Sequence, residues 1–246
     1  MISYLNWRSQ HLREEPGVLV GADLTQEWIL PWWWEKYRQK NTLPVAFVDF
    51  GLSFQMKDWC RERGELVPLR VFDFAATKEE MEAALVEKFE SDYGANFWDC
   101  RNTWFKKPLA LLQSPFSTSL WIDLDCEIRC RVEPLFRYPG LAIAKDQIAL
   151  NSPYPIYNSG VLLFRRGEKM VEVWAEASLK KSDLFRGDQE LLSWLLDQEK
   201  FQTTELPAVY NWSRSLGENP DALIYHWHGV NGKKVIRYEL NRWSSI

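Results

Sequence analysis

Short apolar runs, each closed by a turn signal and followed by an amphipathic stretch, recur along this chain and restrict it to an α/β architecture, because strands joined by crossover helices produce that rhythm. Gly17 to Ala22 (GVLVGA) reads as a first strand, followed by a helical stretch that Pro31 starts or interrupts. Pro44 to Phe50 (PVAFVDF) reads as a second strand, with Gly51 as its turn and Ser53 as N-cap of a helix stopping near Gly64. Leu66 to Phe72 is a third strand, after which Thr77 and Glu80 form a capping box ahead of a helix through Lys88. A helical segment from about Trp98 to Gln113 precedes a strand at Ser119 to Leu124. Further strands are predicted near Gly140 to Lys145, Gly160 to Phe164 and Ala222 to His226, with helices at Glu168 to Leu179 and Asp188 to Leu196. The expected result is one Rossmann-like α/β domain with a mixed, largely parallel central sheet flanked by helices. At 246 residues the chain is long enough to bury roughly three quarters of its unfolded surface.

Composition excludes several functions. A formal charge of −4 with scattered Lys and Arg leaves no footprint for a polyanion, so nucleic acid is not expected as a partner. No apolar stretch approaches the roughly 18 residues that span a bilayer, so any membrane contact must be peripheral. The segment Met1 to Gly17, carrying Arg8, Arg13, Glu14 and Glu15, lacks the apolar core of a secretory signal, and a cytoplasmic location is expected. Cys126 and Cys130 stand too far apart along an extended chain for a disulfide, and no CxxC pattern exists, so reduced thiols are expected. The 14 tryptophans, including Trp32-Trp33-Trp34, admit two readings: core filling, or an apolar surface on which sugars stack.

The most chemical stretch is Ser119-Leu-Trp-Ile-Asp123-Leu-Asp125-Cys-Glu127, an apolar strand that turns acidic at its C-terminal end, where open α/β sheets place their ligands. Strand alternation would put Asp123, Asp125 and Glu127 on one face, and paired carboxylates hold a hard dication such as Mg²⁺ or Mn²⁺. A solvated strand face gives the same pattern. Tyr225-His226-Trp227-His228-Gly229 carries two of the chain's 3 histidines, either of which could complete such a site or simply lie on the surface. In Tyr157-Asn158-Ser159-Gly160, the glycine permits close approach of a ligand, and the two polar side chains suit sugar hydroxyls; a turn before a strand is the plainer reading. Arg186-Gly187-Asp188-Gln189-Glu190 places an acid where an N-cap would also be expected.

Four such signals occur in one order, accompanied by Gly21-Ala22-Asp23, Val48-Asp49-Phe50-Gly51-Leu52-Ser53, Lys106-Lys107-Pro108, Leu206-Pro-Ala-Val-Tyr210-Asn211-Trp212 and His226-Trp-His-Gly229. The ordered set, covering most of the chain, resembles the family-8-like retaining glycosyltransferases of the GT-A fold, the bacterial galactosyl- and glucosyltransferases related to glycogenin. The resemblance implies a single glycosyltransferase domain over 1–246, with residues 17–125 as the nucleotide-sugar half and 126–246 as the acceptor side. It implies a nucleotide-sugar donor, with a UDP-sugar as first choice, and a glycan, lipid-linked or protein acceptor.

Carried over by position, Ala22 and Asp23 would lie near the nucleotide base, Lys106 or Lys107 near the donor phosphates or sugar, and Asn158 and Ser159 near the transferred sugar. Asp123, Asp125 and His226 would hold Mn²⁺ or Mg²⁺. Asp188 and Gln189 would flank the reacting sugar. Gly229 and Lys233 would meet the diphosphate, although Gly229-Val-Asn-Gly-Lys233-Lys234 departs from the family pattern, with a later lysine and no Pro-Trp pair, and leaves Lys234 as an alternative. Two rivals remain: a non-catalytic nucleotide-sugar or carbohydrate-binding protein, and a DxD phosphohydrolase, whose pattern usually continues with a small hydroxylated pair where Cys126-Glu127 stands here.

Overall fold

A computed structural model describes residues 12–69, 71–94, 97–148, 154–198 and 201–243. The first strand, β1 (Gly17–Ala22), alternates between two cores: Val18, Val20 and Ala22 enter one, and Leu19 enters the other. A strand buried on both faces reads as a continuous apolar run instead of an alternating one, which is why GVLVGA stands out in the sequence. The chain continues through α1 (Leu30–Arg38), β2 (Val45–Asp49), α2 (Phe54–Arg61), β3 (Glu65–Pro68), α3 (Ala83–Tyr93), α4 (Trp98–Leu111) and β4 (Thr118–Ile122). The second half adds β5 (Cys126–Ile128), β6 (Ala142–Lys145), β7 (Tyr157–Arg165), α5 (Lys169–Lys181), α6 (Asp188–Gln198), β8 (Thr204–Glu205), β9 (Trp212–Ser213), β10 (Ile224–His226) and α7 (Gly229–Trp243).

The central sheet runs β3-β2-β1-β4-β7-β6-β8. Its β3-β2-β1-β4 portion is parallel, β7 is antiparallel to both β4 and β6, and β8 returns parallel to β6. The expected mixed, largely parallel sheet is therefore the observed one. Strand order reverses between β1 and β4, and a crevice opens at the carboxyl ends of such a pair. A second, three-stranded sheet, β5-β10-β9, lies beyond the end of β4.

Trp32 and Trp33 are fully buried, and Trp33 stacks on Tyr37 at 5.2 Å between ring centroids. Trp34 packs on Phe47 and Trp59. The tryptophan run is core, so of its two readings the packing one holds. Ser53 caps α2 as expected, accepting from the Met56 amide at 3.2 Å. Thr77 and Glu80 do pair, the Thr77 amide donating to the Glu80 carboxylate at 2.9 Å, but they close a 3-10 turn at Lys78–Glu80, and α3 begins only after extended residues at Met81 and Glu82. The third strand ends at Pro68 instead of Phe72; Pro68 has no amide to donate and β3 is the sheet edge. Among the described residues no helix is long and apolar enough to cross a membrane. All four cysteines are free thiols, as expected.

Candidate active site

The strand expected to carry Asp123, Asp125 and Glu127 on one face stops at Ile122. The Cys126 amide donates back to the Asp123 carbonyl at 3.0 Å, closing a tight turn, while the Asp123 amide is held by the Gly160 carbonyl at 2.7 Å. Turn geometry, not alternation, sets the two aspartates. Glu127 leaves with β5 and is occupied there by Arg129 (2.9 Å), the Trp227 indole (3.0 Å) and Lys36 (3.3 Å), so the three-acid face is corrected to a two-acid one.

The third member arrives from the other end of the chain. Antiparallel pairing of β10 with β5 sets His226 opposite Cys126, and the Trp227 amide bonds the Asp125 carbonyl at 2.9 Å. His226 Nε2 then lies 3.2 Å from Asp125 Oδ1 and 3.9 Å from Asp123 Oδ2. The ligating atoms of Asp123, Asp125 and His226 all fall within 4.8 Å of one another. A dication bound to all three would space adjacent donors on the order of 3 Å apart, so these residues fit a divalent cation. Burial alone would raise the Asp125 carboxyl, but His226 and, further off, Lys233 more than offset it and hold the group well below the usual carboxylate range. Burial would lower His226, and Asp125 with Asp123 behind it carries the imidazole above its ordinary value.

A second network adjoins the first. Lys107, buried on α4, reaches Asp123 Oδ1 at 3.0 Å, Ser159 Oγ at 3.1 Å and Asp188 Oδ2 at 3.3 Å. Although burial disfavours its charge, the two carboxylates raise its pKa and keep it an ammonium. Ser159 Oγ donates to Asp188 at 3.0 Å, and burial pushes the Asp188 carboxyl up against the opposing pull of Lys107. The Ser159 amide donates to Gln189 Oε1 at 3.3 Å, and Gln189 Nε2 donates to Asp146 at 3.0 Å. Asn158, also on β7, donates to Asp146 at 3.4 Å.

Other residues singled out in the sequence are placed differently. Consecutive helix positions diverge by about 100°, and Lys106 accordingly turns away from Asp123 to pair with Asp73. Ala22 is buried as the last residue of β1. Asp23 follows it at the crevice, where its carboxylate accepts from the Thr25 amide (2.9 Å), the Gln26 amide (3.1 Å) and the hydroxyls of Thr25 and Thr103 (both 2.6 Å). Gly229 opens α7 with φ 76°, a left-handed conformation suited to glycine. On that helix Lys233 is half-buried and close enough to lower Asp125, whereas Lys234 is exposed. His228 bonds Ser213 Oγ at 2.6 Å, away from the aspartates; burial and the neighbouring His226 push it down to about 4.

Sequence reasoning missed Asp146 as a partner of Gln189. Its signal was the one that exposed Asp123, an acid closing an apolar strand, here β6. The close approach expected at Gly160 is also not that of a ligand: a β-carbon there would sit 2.7 Å from His226 Nδ1, so the glycine makes room for the imidazole.

No family model matches the sequence, and no curated protein matches it either. Solved structures do match in fold. The galactosyltransferase LgtC, in complex with donor and acceptor sugar analogues, superposes with a TM-score of 0.60 at 13% identity, over 94% of this chain and 96% of that one. Mouse xyloside xylosyltransferase 1 gives 0.51 at 16% identity, over 86% of this chain and 97% of that one. The glycosyltransferase GlyE of Streptococcus pneumoniae TIGR4 gives 0.56 at 16% identity, over 87% of this chain and 55% of that one. The chain thus has the fold of these transferases, the GT-A architecture that its motif order resembles.

Proposed function

We propose that the chain is a divalent-cation-dependent glycosyltransferase that moves a sugar from a nucleotide-sugar donor, a UDP-sugar in the first instance, to a glycan, lipid-linked or protein acceptor with retention of anomeric configuration. The observation that carries this reading is the convergence of Asp123, Asp125 and His226 beside the Lys107, Ser159, Asp188 and Gln189 network, at the crevice of a sheet whose structural neighbours transfer sugars. Two carboxylates and an imidazole suit Mn²⁺ better than the all-oxygen shell that Mg²⁺ prefers. Bound there, the cation would supply Lewis-acid stabilisation of the charge that develops on the departing diphosphate.

The chain's own groups divide the remaining work. Residues 17–125 contribute the donor side: Ala22 and Asp23 border the base, and Lys107 places a fixed positive charge beside the donor. Residues 126–246 contribute Asn158 and Ser159 as hydrogen-bonding groups for the sugar, Asp188 and Gln189 beside its reacting carbon, and Gly229 with Lys233 facing the diphosphate. Preorganised charges of this kind need no rearrangement during reaction, which is where their catalytic value lies. The free thiols suit a reducing compartment, and we place the protein in the cytoplasm.

The test is incubation with a panel of nucleotide sugars and acceptors, with Mn²⁺ or Mg²⁺ and with EDTA, measuring released nucleotide and glycoside product. Metal-dependent release with product formation is expected. Saturable donor binding without turnover would make the protein a binding module, and cleavage of simple phosphomonoesters would make it a DxD phosphohydrolase; either result removes the proposal.

A further inference from the structure

Asn211, the residue just before β9, is buried to 1% exposure between the two halves of the site. Its Nδ2 donates to the main-chain carbonyl of Asn158 at 3.1 Å and to Asn158 Oδ1 at 2.9 Å. A main-chain carbonyl can only accept, so the atom facing it is the amide nitrogen, which assigns the carboxamide's orientation from its partners. The opposite atom, Oδ1, lies 3.0 Å from His226 Nδ1. That oxygen carries no proton, so Nδ1 must donate to it. In a neutral imidazole the remaining lone pair then belongs to Nε2, the atom facing Asp125 at 3.2 Å and Asp123 at 3.9 Å.

The alternative tautomer has its own attraction. A proton on Nε2 would donate to the Asp125 carboxylate, and that charge-assisted bond would compete with any cation. Gly160 lies against the Nδ1–Cε1 edge of the imidazole, where any β-carbon would clash with the ring as it is seated.

We propose that Asn211 is the positioning residue that fixes His226 as its Nδ1–H tautomer, so that Nε2 is presented as an electron-pair donor to a divalent cation on Asp123 and Asp125. Through the two bonds to Asn158, the same carboxamide ties the cation site to the sugar side. This inference rests on the metal-dependent reading above. Hydrogen-bond partners of this kind, behind a metal-bound histidine, typically change metal affinity about 10- to 100-fold.

The experiment measures Mn²⁺ binding directly, by the electron paramagnetic resonance signal of free Mn²⁺, in the full chain and two variants. Asn211→Leu removes both acceptor and donor, whereas Asn211→Asp keeps an oxygen opposite Nδ1 and loses the donation to Asn158. Asn211→Leu should bind Mn²⁺ about 10- to 100-fold more weakly, and Asn211→Asp should stay within about threefold of the parent, on the same principle of a retained acceptor. Equal affinity in Asn211→Leu, or an Asn211→Asp variant as weak as Asn211→Leu, overturns the acceptor role. A parent that binds no Mn²⁺ sinks the metal reading itself, which is a separate result. If Asn211→Leu does not fold, ¹⁵N NMR of His226 in the Mg²⁺-loaded parent decides: a proton on Nδ1 is expected, and one on Nε2 overturns the assignment.

Discussion

Gly160 and His226 are in such close contact that residue 160 has no space for a side chain, since a β-carbon would come within 2.7 Å of the imidazole Nδ1. The backbone conformation at Gly160 is not the reason for glycine, because its φ is not positive. Gly160→Ala should therefore act through the ring, forcing His226 away from Asn211 and Asp125. An overpacked core position costs about 1–3 kcal/mol, so a lowered unfolding midpoint is expected together with a raised Mn²⁺ requirement. Mn²⁺ titration of the variant checks this; unchanged affinity would show that the imidazole is not a ligand.

The two aspartates should be comparably sensitive for different reasons. The Asp125 carboxylate faces the His226 imidazole, so Asp125→Asn removes a charged ligand while leaving the Lys107 network in place. Asp123 is shared among Lys107 (3.0 Å), the Trp121 indole (2.6 Å) and the cation position, so Asp123→Asn also leaves Lys107 with only Asp188 as counter-charge. Loss of Lewis-acid assistance worth several kcal/mol corresponds to several decades of rate at about 1.4 kcal/mol per decade. Metal-dependent nucleotide release should fall accordingly in both variants. A correctly folded Asp125→Asn protein with parental turnover would remove the metal assignment.

What the sequence could and could not reveal follows from the range over which each interaction acts. The acidic end of β4 and the Ser53 cap are local signals, and both mark real features. The alternation that grouped Glu127 with the aspartates failed because the chain turns at Asp123 and enters a second sheet, a decision made by pairing of β5 with β10 about a hundred residues away. Lys106 and Lys107 were indistinguishable because which face of α4 meets the crevice depends on tertiary packing. Asn211 was visible only within a motif segment, and its link to His226 and Asn158 exists only once β7, β9 and β10 are assembled.

The two late histidines should separate cleanly. His226 lies against both aspartates, whereas His228 donates to or accepts from Ser213 and is pushed down to about 4, so it stays neutral at physiological pH. His226→Ala should raise the Mn²⁺ concentration needed for activity far more than His228→Ala does. The reverse ranking in parallel Mn²⁺ titrations would sink the assignment.

The metal-free protein should show a characteristic pH dependence. His226 has a folded pKa above its unfolded value of 6.5, so its stabilising contribution is complete below 6.5 and is lost as pH rises through the folded value. Asp125 is the opposite case: depressed on folding, it contributes above its unfolded value of 3.8 and loses that contribution as pH falls. The pair is therefore at full strength between 3.8 and 6.5. With EDTA present, unfolding midpoints should fall as pH rises from about 6 to 8.5, across the range where histidines titrate. Saturating Mn²⁺ should weaken or reverse that slope, because ligation requires the deprotonated imidazole. Parallel slopes with and without Mn²⁺ would contradict ligation by His226.

Retention of the donor's anomeric configuration is the outcome expected of the chemistry itself. An inverting route needs a carboxylate or histidine free to deprotonate the acceptor on the face opposite the leaving group. Among the described residues, the acids beside this network are engaged: Glu190 with Arg186 at 2.5 Å, Glu127 with Arg129 and Lys36, Asp188 with Lys107 and Ser159, and Asp146 with Gln189 and Asn158. Gln189 is neutral, a poor base and a poor nucleophile, but its carboxamide is fixed at both ends by the Ser159 amide and Asp146, which suits it to orient a sugar and stabilise a cationic transition state. Gln189→Ala should then lower kcat with little change in donor affinity, the mark of an interaction made mainly in the transition state. NMR of the first-formed product, taken before mutarotation, should show the donor's configuration preserved. An inverted linkage would remove the retaining assignment and the role given to Gln189 together, and would point to Asp146 as a base that Gln189 and Asn158, among its partners, must release.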